Sequence, residues 1–350
     1  MKTPLVSVIV PVYNVSQYLD QCLDSLVNQT LRDIEIICVN DASTDNSLEI
    51  LRSWEKRDER IKVIDSPENG RQGRARNIGI KAAVGEFLGF VDSDDYVSKD
   101  CYQTLVESSE KCDIVTAKSY MKFDMTYEYP ISQFKISVDL SNQESIKRYI
   151  AAYGCRLWCS IFRRSYFIEN RFEFPERILF EDNVIVPLVF LLANHIAVVD
   201  NTYPLYYYRI NSSSTVHSVF SDNKFLDKLV MQRLMLSNFR KYNLANRYEE
   251  ELSYRYFITF YYNTINLLLF NREDYRADLI SKVYKEYKQI AGDFPSSVYM
   301  DNVVDLGVFK MIGRFPMFGR FYKIYRGSPS VGYLKKIKRK VKKIKRKVFK

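Results

Sequence analysis

Histidine is scarce in this chain, and its scarcity excludes one class of site. Only two histidines, His195 and His217, occur among 350 residues, which is too few for a His-rich zinc centre. The six cysteines form no CxxC pair, and several lie in apolar stretches where they read as small buried hydrophobic residues. No secretory signal peptide is recognisable. We therefore expect a reducing, cytoplasmic setting rather than a disulfide framework.

Long uninterrupted apolar runs are also missing. The most apolar stretch, residues 184–199, is broken by Pro187, Asn194 and His195. A membrane-spanning helix needs about 18–20 nearly continuous apolar residues. The sequence therefore predicts no transmembrane segment in this region.

Two glycine-rich phosphate-binding patterns are absent. Neither GxGxxG nor GxxxxGK[ST] occurs anywhere in the sequence. These patterns supply the close backbone approach that a dinucleotide or a triphosphate requires. Rossmann dinucleotide binding and P-loop chemistry are therefore excluded on residue type.

The net charge of +10 is concentrated at one end of the chain. Of 52 basic residues, eleven lie in residues 335–350, which leaves 41 basic against 42 acidic residues elsewhere. This segment repeats Lys-Lys-Ile-Lys-Arg-Lys-Val, with apolar residues at 4-3-4 spacing, a pattern that suits an anionic membrane surface. We favour membrane contact through Lys335–Lys350; a solvated tail and RNA binding are the alternatives, and no nucleic acid is expected.

Strands and helices alternate over the first 120 residues. Apolar, β-branched runs predict strands, and apolar residues at helical spacing predict helices between them. The predicted strands are Leu5–Val12, Ile34–Val39, Ile61–Ile64 and Phe87–Val91, and the predicted helices are Ser16–Gln29, Leu48–Trp54 and Gly73–Ala83. This alternation favours an α/β fold with a parallel sheet. Beyond residue 220 the pattern is helical, and its many aromatic side chains favour a core role.

Four residues, Asp92-Ser93-Asp94-Asp95, directly follow the fourth predicted strand. Because side chains at i and i+2 of a strand share a face, Asp92 and Asp94 are expected to point into one crevice. Facing carboxylates repel each other unless a cation lies between them, and hard oxygen ligands suit Mg²⁺ or Mn²⁺. An ordinary Asp/Ser-rich turn is the alternative, and this segment by itself leaves both open.

A set of motifs occurs in one order along residues 5–215, and this order carries a resemblance. The motifs are Val6–Asn14, Ser25–Gln29, Asn40–Asp45, Ala75–Gly79, Asp92–Asp95, Phe180–Asp182 and Tyr208-Arg209. Each motif alone is weak evidence. Taken together, the motifs make the chain resemble glycosyltransferase family 2, a family of inverting, nucleotide-sugar-dependent enzymes. The C-terminal third carries no comparable signal.

The resemblance implies a fold class and a domain organisation. It implies a GT-A fold, in which a Rossmann-like, mostly parallel central sheet is flanked by helices, followed by an α-helical C-terminal region. We expect a catalytic domain over residues 1–215, with a nucleotide-binding half at 1–120 and an acceptor half at 121–215. A helical region over 216–332 and the basic tail over 333–350 are expected to follow.

The resemblance also implies a donor site. The residues implied to bind the nucleotide-sugar are Pro11, Tyr13, Asp41, Arg76, Asp92, Ser93 and Arg209. Tyr13 is expected to pack on a pyrimidine base and Asp41 to accept the N3–H of uracil. The alternatives are a rim tyrosine and a helix cap, a role for which Asp45 competes. Arg76 is implied to contact the base or a phosphate, and Arg209 to contact a phosphate or to hold Asp182.

The metal and the catalytic base are implied in the same way. Asp92 would contact the ribose and Asp94 would bind Mn²⁺ or Mg²⁺, with Asp95 as the alternative ligand. Asp182 is the expected base that removes the acceptor hydroxyl proton, and Glu181 is expected to position the acceptor. A helix-terminal carboxylate favoured by the macrodipole is the non-catalytic alternative for Asp182.

These expectations combine into one function. We expect a metal-dependent inverting glycosyltransferase that moves a sugar, most simply from a UDP-sugar, to a glycan or lipid-linked acceptor in cell-surface polysaccharide biosynthesis. We expect it in the cytoplasm, peripheral at the inner face of the cell membrane. The rivals are a nucleotidyltransferase, which would need a Gly-rich triphosphate loop that residues 11–14 do not form, and a catalytically inactive nucleotide-sugar-binding protein.

Overall fold

The protein is described by a computed structural model that covers most of the first 291 residues. The described residues are 3–117, 121–124, 127–131, 144, 147, 151, 157–200, 203–210, 227–270, 276–291 and 316. The chain divides into two compact units, Met1–Tyr248 and Glu249–Lys350. His217 and the basic segment Lys335–Lys350 lie outside the described residues.

The described strands all belong to the first unit. They are β1 (Val6–Val12), β2 (Ile34–Asn40), β3 (Ile61–Asp65), β4 (Phe87–Phe90), β5 (Tyr96–Val97), β6 (Ile114–Ala117), β7 (Met121–Asp124), β8 (Tyr127–Ile131), β9 (Ser160–Arg163), β10 (Ile196–Val199) and β11 (Tyr206–Ile210). Seven of them form the main sheet in the order β10-β6-β9-β4-β1-β2-β3. The sheet is parallel except at β9, which runs antiparallel to both of its neighbours. The predicted mostly parallel α/β sheet is therefore confirmed.

The helices of the first unit flank the strands. They are α1 (Ser16–Val27), α2 (Ser47–Arg57), α3 (Arg71–Ala82), α4 (Cys101–Glu107), α5 (Arg164–Glu169), α6 (Asp182–Leu192) and α7 (Asp227–Lys241). On α1 the buried residues are Leu19, Cys22, Leu23 and Leu26, which is the predicted apolar stripe. All residues of β1 and β2 are buried, as a strand covered on both faces requires.

One strand of the main sheet carries no signal of its own in the sequence. The four-residue strand β9 lies between β4 and β6 and pairs antiparallel with both. The apolar stretch that we noted at 184–199 also divides into two elements, helix α6 and strand β10, with Asn194 and His195 between them. Both arrangements depend on pairing with distant strands rather than on local pattern.

A second, smaller sheet lies beside the carboxyl ends of the main strands. It has the order β5-β11-β7-β8, and β11 pairs antiparallel with β5 and parallel with β7. Strand β5 begins at Tyr96, directly after the Asp92–Asp95 turn. Because β11 pairs with β5, this sheet brings β11 and its Arg209 to the end of β4. This is the feature of the fold that matters most for the site.

Every secondary-structure element that the structure describes in the second unit is a helix. The unit contains α8 (Glu249–Tyr256), a π-helical segment (Phe257–Tyr262), α9 (Asn263–Phe270) and α10 (Ala277–Ala291). Its core holds buried aromatic residues, namely Tyr256, Phe257, Phe260, Tyr261 and Tyr287. These side chains are core, as predicted. No helix in the described ranges is long and apolar enough to cross a bilayer.

Candidate functional site

Three neighbouring parallel strands end side by side at one edge of the main sheet. Strand β4 lies next to β1, and β1 lies next to β2, in parallel register. The residues that follow these strands are Asp92–Asp95 after β4, Tyr13 after β1 and Asp41 after β2. In an open α/β sheet, ligands bind in the crevice outside the carboxyl ends of the strands. The topology therefore brings the predicted donor-side residues to one crevice.

The loops after β1 and β2 brace each other. The Asn14 side-chain oxygen accepts the backbone N–H groups of Thr44 at 2.8 Å and of Asp45 at 3.3 Å. In return, the Asp45 carboxylate accepts the N–H of Ser16 at 3.0 Å and that of Ser47 at 3.0 Å. Asp45 thus serves the starts of two helices, which leaves Asp41 for another role. Pro11 is buried within β1.

Tyr13 stands at the exposed rim of this braced loop. Its side chain is 47% exposed, in contrast to the fully buried strand that precedes it. A tyrosine ring in this position offers an aromatic face for a planar base. The geometry therefore suits the stacking role that the resemblance implies.

Asp41 is a buried carboxylate that is only half satisfied. Its Oδ1 accepts the backbone N–H of Gly70 at 2.8 Å, and its backbone carbonyl accepts the Asn69 side chain at 3.1 Å. Its Oδ2 is buried and has no hydrogen-bond partner in the part of the chain that the structure describes. Burial raises the pKa of Asp41, against the lowering effect of the Gly70 and Arg71 N–H groups. A buried acceptor without a donor is costly unless a ligand supplies one.

The acidic segment after β4 is a turn rather than part of the strand. Strand β4 ends at Phe90, and the Asp95 N–H donates to the Asp92 carbonyl at 3.0 Å. Our strand-alternation argument for Asp92 and Asp94 is therefore wrong, because neither residue lies on the strand. The turn, not the pleat, sets the directions of these side chains. Ser93 is buried within it.

The three carboxylates of this turn have different surroundings. Asp95 is buried, and its two oxygens accept the Tyr206 hydroxyl and the Arg209 backbone N–H, each at 2.7 Å. Burial and the neighbouring Asp94 and Asp92 raise the pKa of Asp95. Asp95 thus ties the turn to β11, whereas Asp94 is only half-buried. Of the two candidate metal ligands, Asp94 is the one whose surroundings favour binding an ion.

Arg209 is buried under the same turn. Its Nε donates to the Asp94 backbone carbonyl at 2.8 Å, and its guanidinium also bonds the Gln21 side chain. The Tyr18 ring lies 4.6 Å from the guanidinium carbon. These contacts place Arg209 on the Asp92–Asp95 turn and on α1. They make it a residue that shapes the donor side of the crevice.

Arg76 joins the donor side of the crevice to the loop that carries the candidate base. It is buried, its Nη2 donates to the Asp92 carboxylate at 2.9 Å, and its Nη1 bonds the Glu181 carboxylate. Burial works against its charge, but Glu181, Asp92 and Asp182 together raise the pKa of Arg76. One guanidinium therefore holds two carboxylates whose positions in the sequence are far apart.

The candidate base lies directly after Glu181, at the first position of α6. Asp182 Oδ1 accepts the backbone N–H of Asn183 at 2.8 Å and its side-chain amide at 2.9 Å. Burial raises the pKa of Asp182, and Arg76 and Asn183 offset only part of that rise. Burial likewise raises the pKa of Glu181 to about 7, although Arg76 lowers it. A carboxylate with a raised pKa is a better proton acceptor than an exposed aspartate.

The donor set fits a metal ion that is shared with a diphosphate. No group of three or more His, Cys, Asp or Glu side chains in the described ranges forms a metal cage. Mg²⁺ and Mn²⁺ sites on nucleotides use only one or two carboxylates and take the remaining ligands from phosphate and water. Asp94, with Asp92 beside it, meets that requirement.

Several residues of the site escaped the sequence analysis. Asn69 and Gly70 hold Asp41, Tyr206 holds Asp95, and Gln21 holds Arg209. Gly70 precedes α3 and contributes only its backbone N–H, which no residue-type pattern reveals. The others are ordinary polar residues whose roles depend on contacts between distant segments.

Comparison with known proteins identifies a family. Residues 7–171 match the model of glycosyl transferase family 2. The chain is 38% identical over 259 residues to the uncharacterized glycosyltransferase EpsJ of Bacillus subtilis, covering 71% of this chain and 74% of EpsJ. It is 37% identical over 211 residues to a poly(ribitol-phosphate) beta-glucosyltransferase of Bacillus spizizenii, covering 58% of this chain and 32% of that enzyme.

A solved structure shares the fold. S. aureus TarS in complex with UDP superposes with a TM-score of 0.61 at 25% identity, over 81% of this chain and 80% of that chain. The fold and the crevice together define a GT-A transferase. The chain belongs to glycosyl transferase family 2, and it is a glycosyltransferase.

Proposed function

We propose that this glycosyltransferase uses a UDP-sugar as donor. The observation that carries the proposal is the Asp41 carboxylate, which follows β2 at the crevice and whose buried Oδ2 has no hydrogen-bond partner among the described residues. Uracil presents an N3–H group, which is the donor that this oxygen lacks. The related TarS structure holds UDP, which supports the same choice.

The diphosphate would lie against the Asp92–Asp95 turn. Asp94 would hold Mg²⁺ or Mn²⁺ there, and such an ion supplies charge neutralisation for a departing nucleoside diphosphate. The protein itself shapes this region, because Arg209 fixes the Asp94 backbone and Asp95 fixes the turn to β11. Asp92 is held by Arg76 on the side that faces the candidate base.

Transfer would proceed by a single displacement with inversion at the anomeric carbon. Asp182 would accept the proton of the acceptor hydroxyl while that oxygen bonds to the anomeric carbon. The bond from that carbon to the phosphate oxygen would break at the same time, and UDP would leave with the bonding electrons. Asn183 bonds Oδ1, and Oδ2 would serve this task, since no hydrogen bond to it is seen among the residues that the structure describes. Glu181 would position the acceptor.

Replacing Asp41 with Ala tests the donor assignment. We expect wild-type protein to bind UDP more tightly than CDP, because N3 of cytosine carries no hydrogen. The variant should weaken UDP binding by roughly 10- to 100-fold, as expected for the loss of a hydrogen bond to a charged group, and should bind UDP and CDP alike. Titration calorimetry with both nucleotides measures these affinities.

Asp45→Ala is the matched control for that experiment. Asp45 bonds the N–H groups at the starts of α1 and α2, so its removal should lower thermal stability by about 1 kcal/mol and leave the preference for UDP intact. Equal affinity of the wild-type protein for UDP and CDP would contradict the role of Asp41.

We further propose that the acceptor is a glycan or a lipid-linked glycan at the inner face of the cell membrane. Two observations support this choice. A relative acts on poly(ribitol phosphate), a polymer, according to its name. The segment Lys335–Lys350 holds eleven basic residues and a thin apolar stripe. Each basic residue near an anionic lipid surface contributes about 1 kcal/mol of attraction.

Co-sedimentation with vesicles tests the basic segment. We expect the full chain to pellet with vesicles that contain anionic lipid, and to be released as salt is raised. A chain that ends at Gly332 should stay in the supernatant, and so should a full-length variant whose tail lysines are replaced by glutamine. Equal pelleting of all three proteins would exclude the tail as the membrane contact.

A further inference from the structure

We propose that Arg76 is a positioning residue, which sets the loop carrying Glu181 and Asp182 against the Asp92 turn. The inference rests on the proposed roles of Asp182 as base and of Asp92 on the donor side. It adds a structural role to the donor-binding role that family resemblance implies. The geometry around one buried guanidinium points to it.

Both terminal nitrogens of Arg76 bond carboxylates of the protein, and its Nε is buried without a hydrogen-bond partner in the described part of the chain. Nη2 donates to Asp92 and Nη1 to Glu181, and the Phe174 ring lies 5.7 Å from the guanidinium carbon. Binding a phosphate in place of either carboxylate would leave that carboxylate without its charge partner. Glu181 is buried as deeply as Arg76, so this exchange would leave a buried carboxylate without a charge partner.

Helix α3 guides the segment that leads to Glu181. The Gly70 carbonyl accepts the Arg177 N–H at 2.9 Å, and the Asn77 side chain exchanges two hydrogen bonds with the Phe174 backbone, at 2.8 and 2.9 Å. A Cβ placed on Gly73 would come within 2.1 Å of the Pro175 carbonyl oxygen, so the two backbones touch there. The segment from Phe174 therefore lies along α3, and Arg76 secures its far end.

The end of this segment needs such an anchor. Phe180 has a φ of 64°, a left-handed conformation that is unfavourable for a residue with a bulky side chain. Glu181 and Asp182 follow immediately, and Asp182 begins α6. A strained turn persists only when surrounding contacts hold it. The Arg76–Glu181 pair is one of the contacts at that point, and it also carries the link to Asp92.

A positive charge at position 76 is not sufficient to hold both carboxylates, because the bridge requires the branched guanidinium group of arginine. A guanidinium presents planar, diverging N–H donors that reach two carboxylates at once, whereas a lysine ammonium is a single point charge. Arg76→Lys therefore keeps the charge but removes the bridge. We expect kcat to fall about 100-fold, the cost of a small misplacement of a catalytic group. We expect the affinity for UDP to stay within about threefold.

Arg163→Lys is the matched control. Arg163 also pairs with a glutamate, Glu86, at 2.7 Å, and its guanidinium carbon lies 4.7 Å from the Phe87 ring. It sits at the opposite end of β4, away from the crevice. We expect this variant to show unchanged kcat and unchanged affinity for UDP. The melting temperature of every variant should be recorded beside its kinetics.

A double-mutant cycle with Glu181→Gln separates this role from direct donor binding. If Arg76 acts through Glu181, the double variant should be about as slow as the slower single variant. Additive losses, or a tenfold weaker affinity for UDP in Arg76→Lys, would overturn the proposal. If Arg76→Lys fails to fold, Gly73→Ala displaces the same segment without changing charge. Wild-type kcat in a folded Gly73→Ala protein would then contradict the inference.

Failure of the proposed function would look different. It would appear as no transfer from any UDP-sugar by the wild-type protein, or as full turnover by Asp182→Asn. Neither result depends on Arg76. If the wild-type enzyme is active, a low kcat of Arg76→Lys supports the positioning role of Arg76. A wild-type kcat of Arg76→Lys contradicts that role and leaves the proposed function in place.

Discussion

Replacing Asp182 with Asn is expected to lower kcat by roughly 10³-fold, while the affinity for UDP stays within about threefold. The substitution keeps the volume and the hydrogen bonds to Asn183 but removes the proton acceptor. A positioned general base contributes roughly 10²–10⁴ in rate. Initial rates with a UDP-sugar, together with UDP binding by calorimetry, measure both quantities in one preparation.

The pH dependence should report the same group. Burial raises the pKa of Asp182, so the carboxylate takes up a proton at a higher pH than an exposed aspartate, whose pKa is about 3.9. Because only the deprotonated form accepts the acceptor proton, the rate of the wild-type enzyme should fall as pH is lowered through this raised pKa. The residual activity of Asp182→Asn should lose the part of the acidic limb that Asp182 contributes and keep the part from Glu181, whose pKa burial raises to about 7.

A matched control separates catalysis from helix stability. Asp278, which also pairs with Arg276, lies in the first turn of α10, as Asp182 does in α6, and a carboxylate in this position favours a helix N-terminus. Asp278→Asn should therefore lower the melting temperature slightly and leave kcat unchanged. Full turnover by Asp182→Asn would show that Asp182 is only a helix-terminal carboxylate.

The edge of the sheet could be predicted from sequence because its signals are local. Buried parallel strands read as continuous apolar runs, and β1 and β2 are such runs. Each is followed at once by polar residues, and parallel strands place those residues at the same edge. The stripe on α1 was equally local, since one period of 3.6 residues describes it.

Strand β9 shows what local pattern does not reveal. It has only four residues, Ser160–Arg163, and periodicity cannot distinguish so short an apolar run from a loop. Its place between β4 and β6, and its antiparallel direction, come from pairing with residues far away in the sequence. The central sheet therefore had a member that the sequence analysis did not include.

The inner contacts of the site were hidden for the same reason. Arg76 and Glu181 are separated by 105 positions, and Asp95 and Tyr206 by 111. Sequence spacing placed each residue on an element, but the pairing depends on how α3 lies against the segment after Phe174. The side chains at the carboxyl ends of the strands were therefore easier to predict than those that hold them.

Replacing Asp94 with Ala is expected to abolish the effect of Mn²⁺ on donor binding and to lower kcat by roughly 10³-fold. The proposed ion neutralises charge on the leaving diphosphate, a contribution of several kcal/mol to transition-state stability. The wild-type protein should bind UDP more tightly when Mn²⁺ is present. UDP titrations of the variant with and without Mn²⁺ should give the same affinity.

Asp95→Asn decides between the two neighbouring carboxylates. Asp95 accepts the Tyr206 hydroxyl and the Arg209 N–H, so its substitution disturbs two buried hydrogen bonds and should lower the melting temperature. Because these bonds already occupy both of its oxygens, its loss should leave the dependence of UDP binding on Mn²⁺ intact. If Asp95→Asn instead removed that dependence while Asp94→Ala kept it, the metal ligand would be Asp95, and the turn would have to open to release it. If both variants kept it, the ion would not be held by this turn, and charge neutralisation would fall to basic side chains of the crevice.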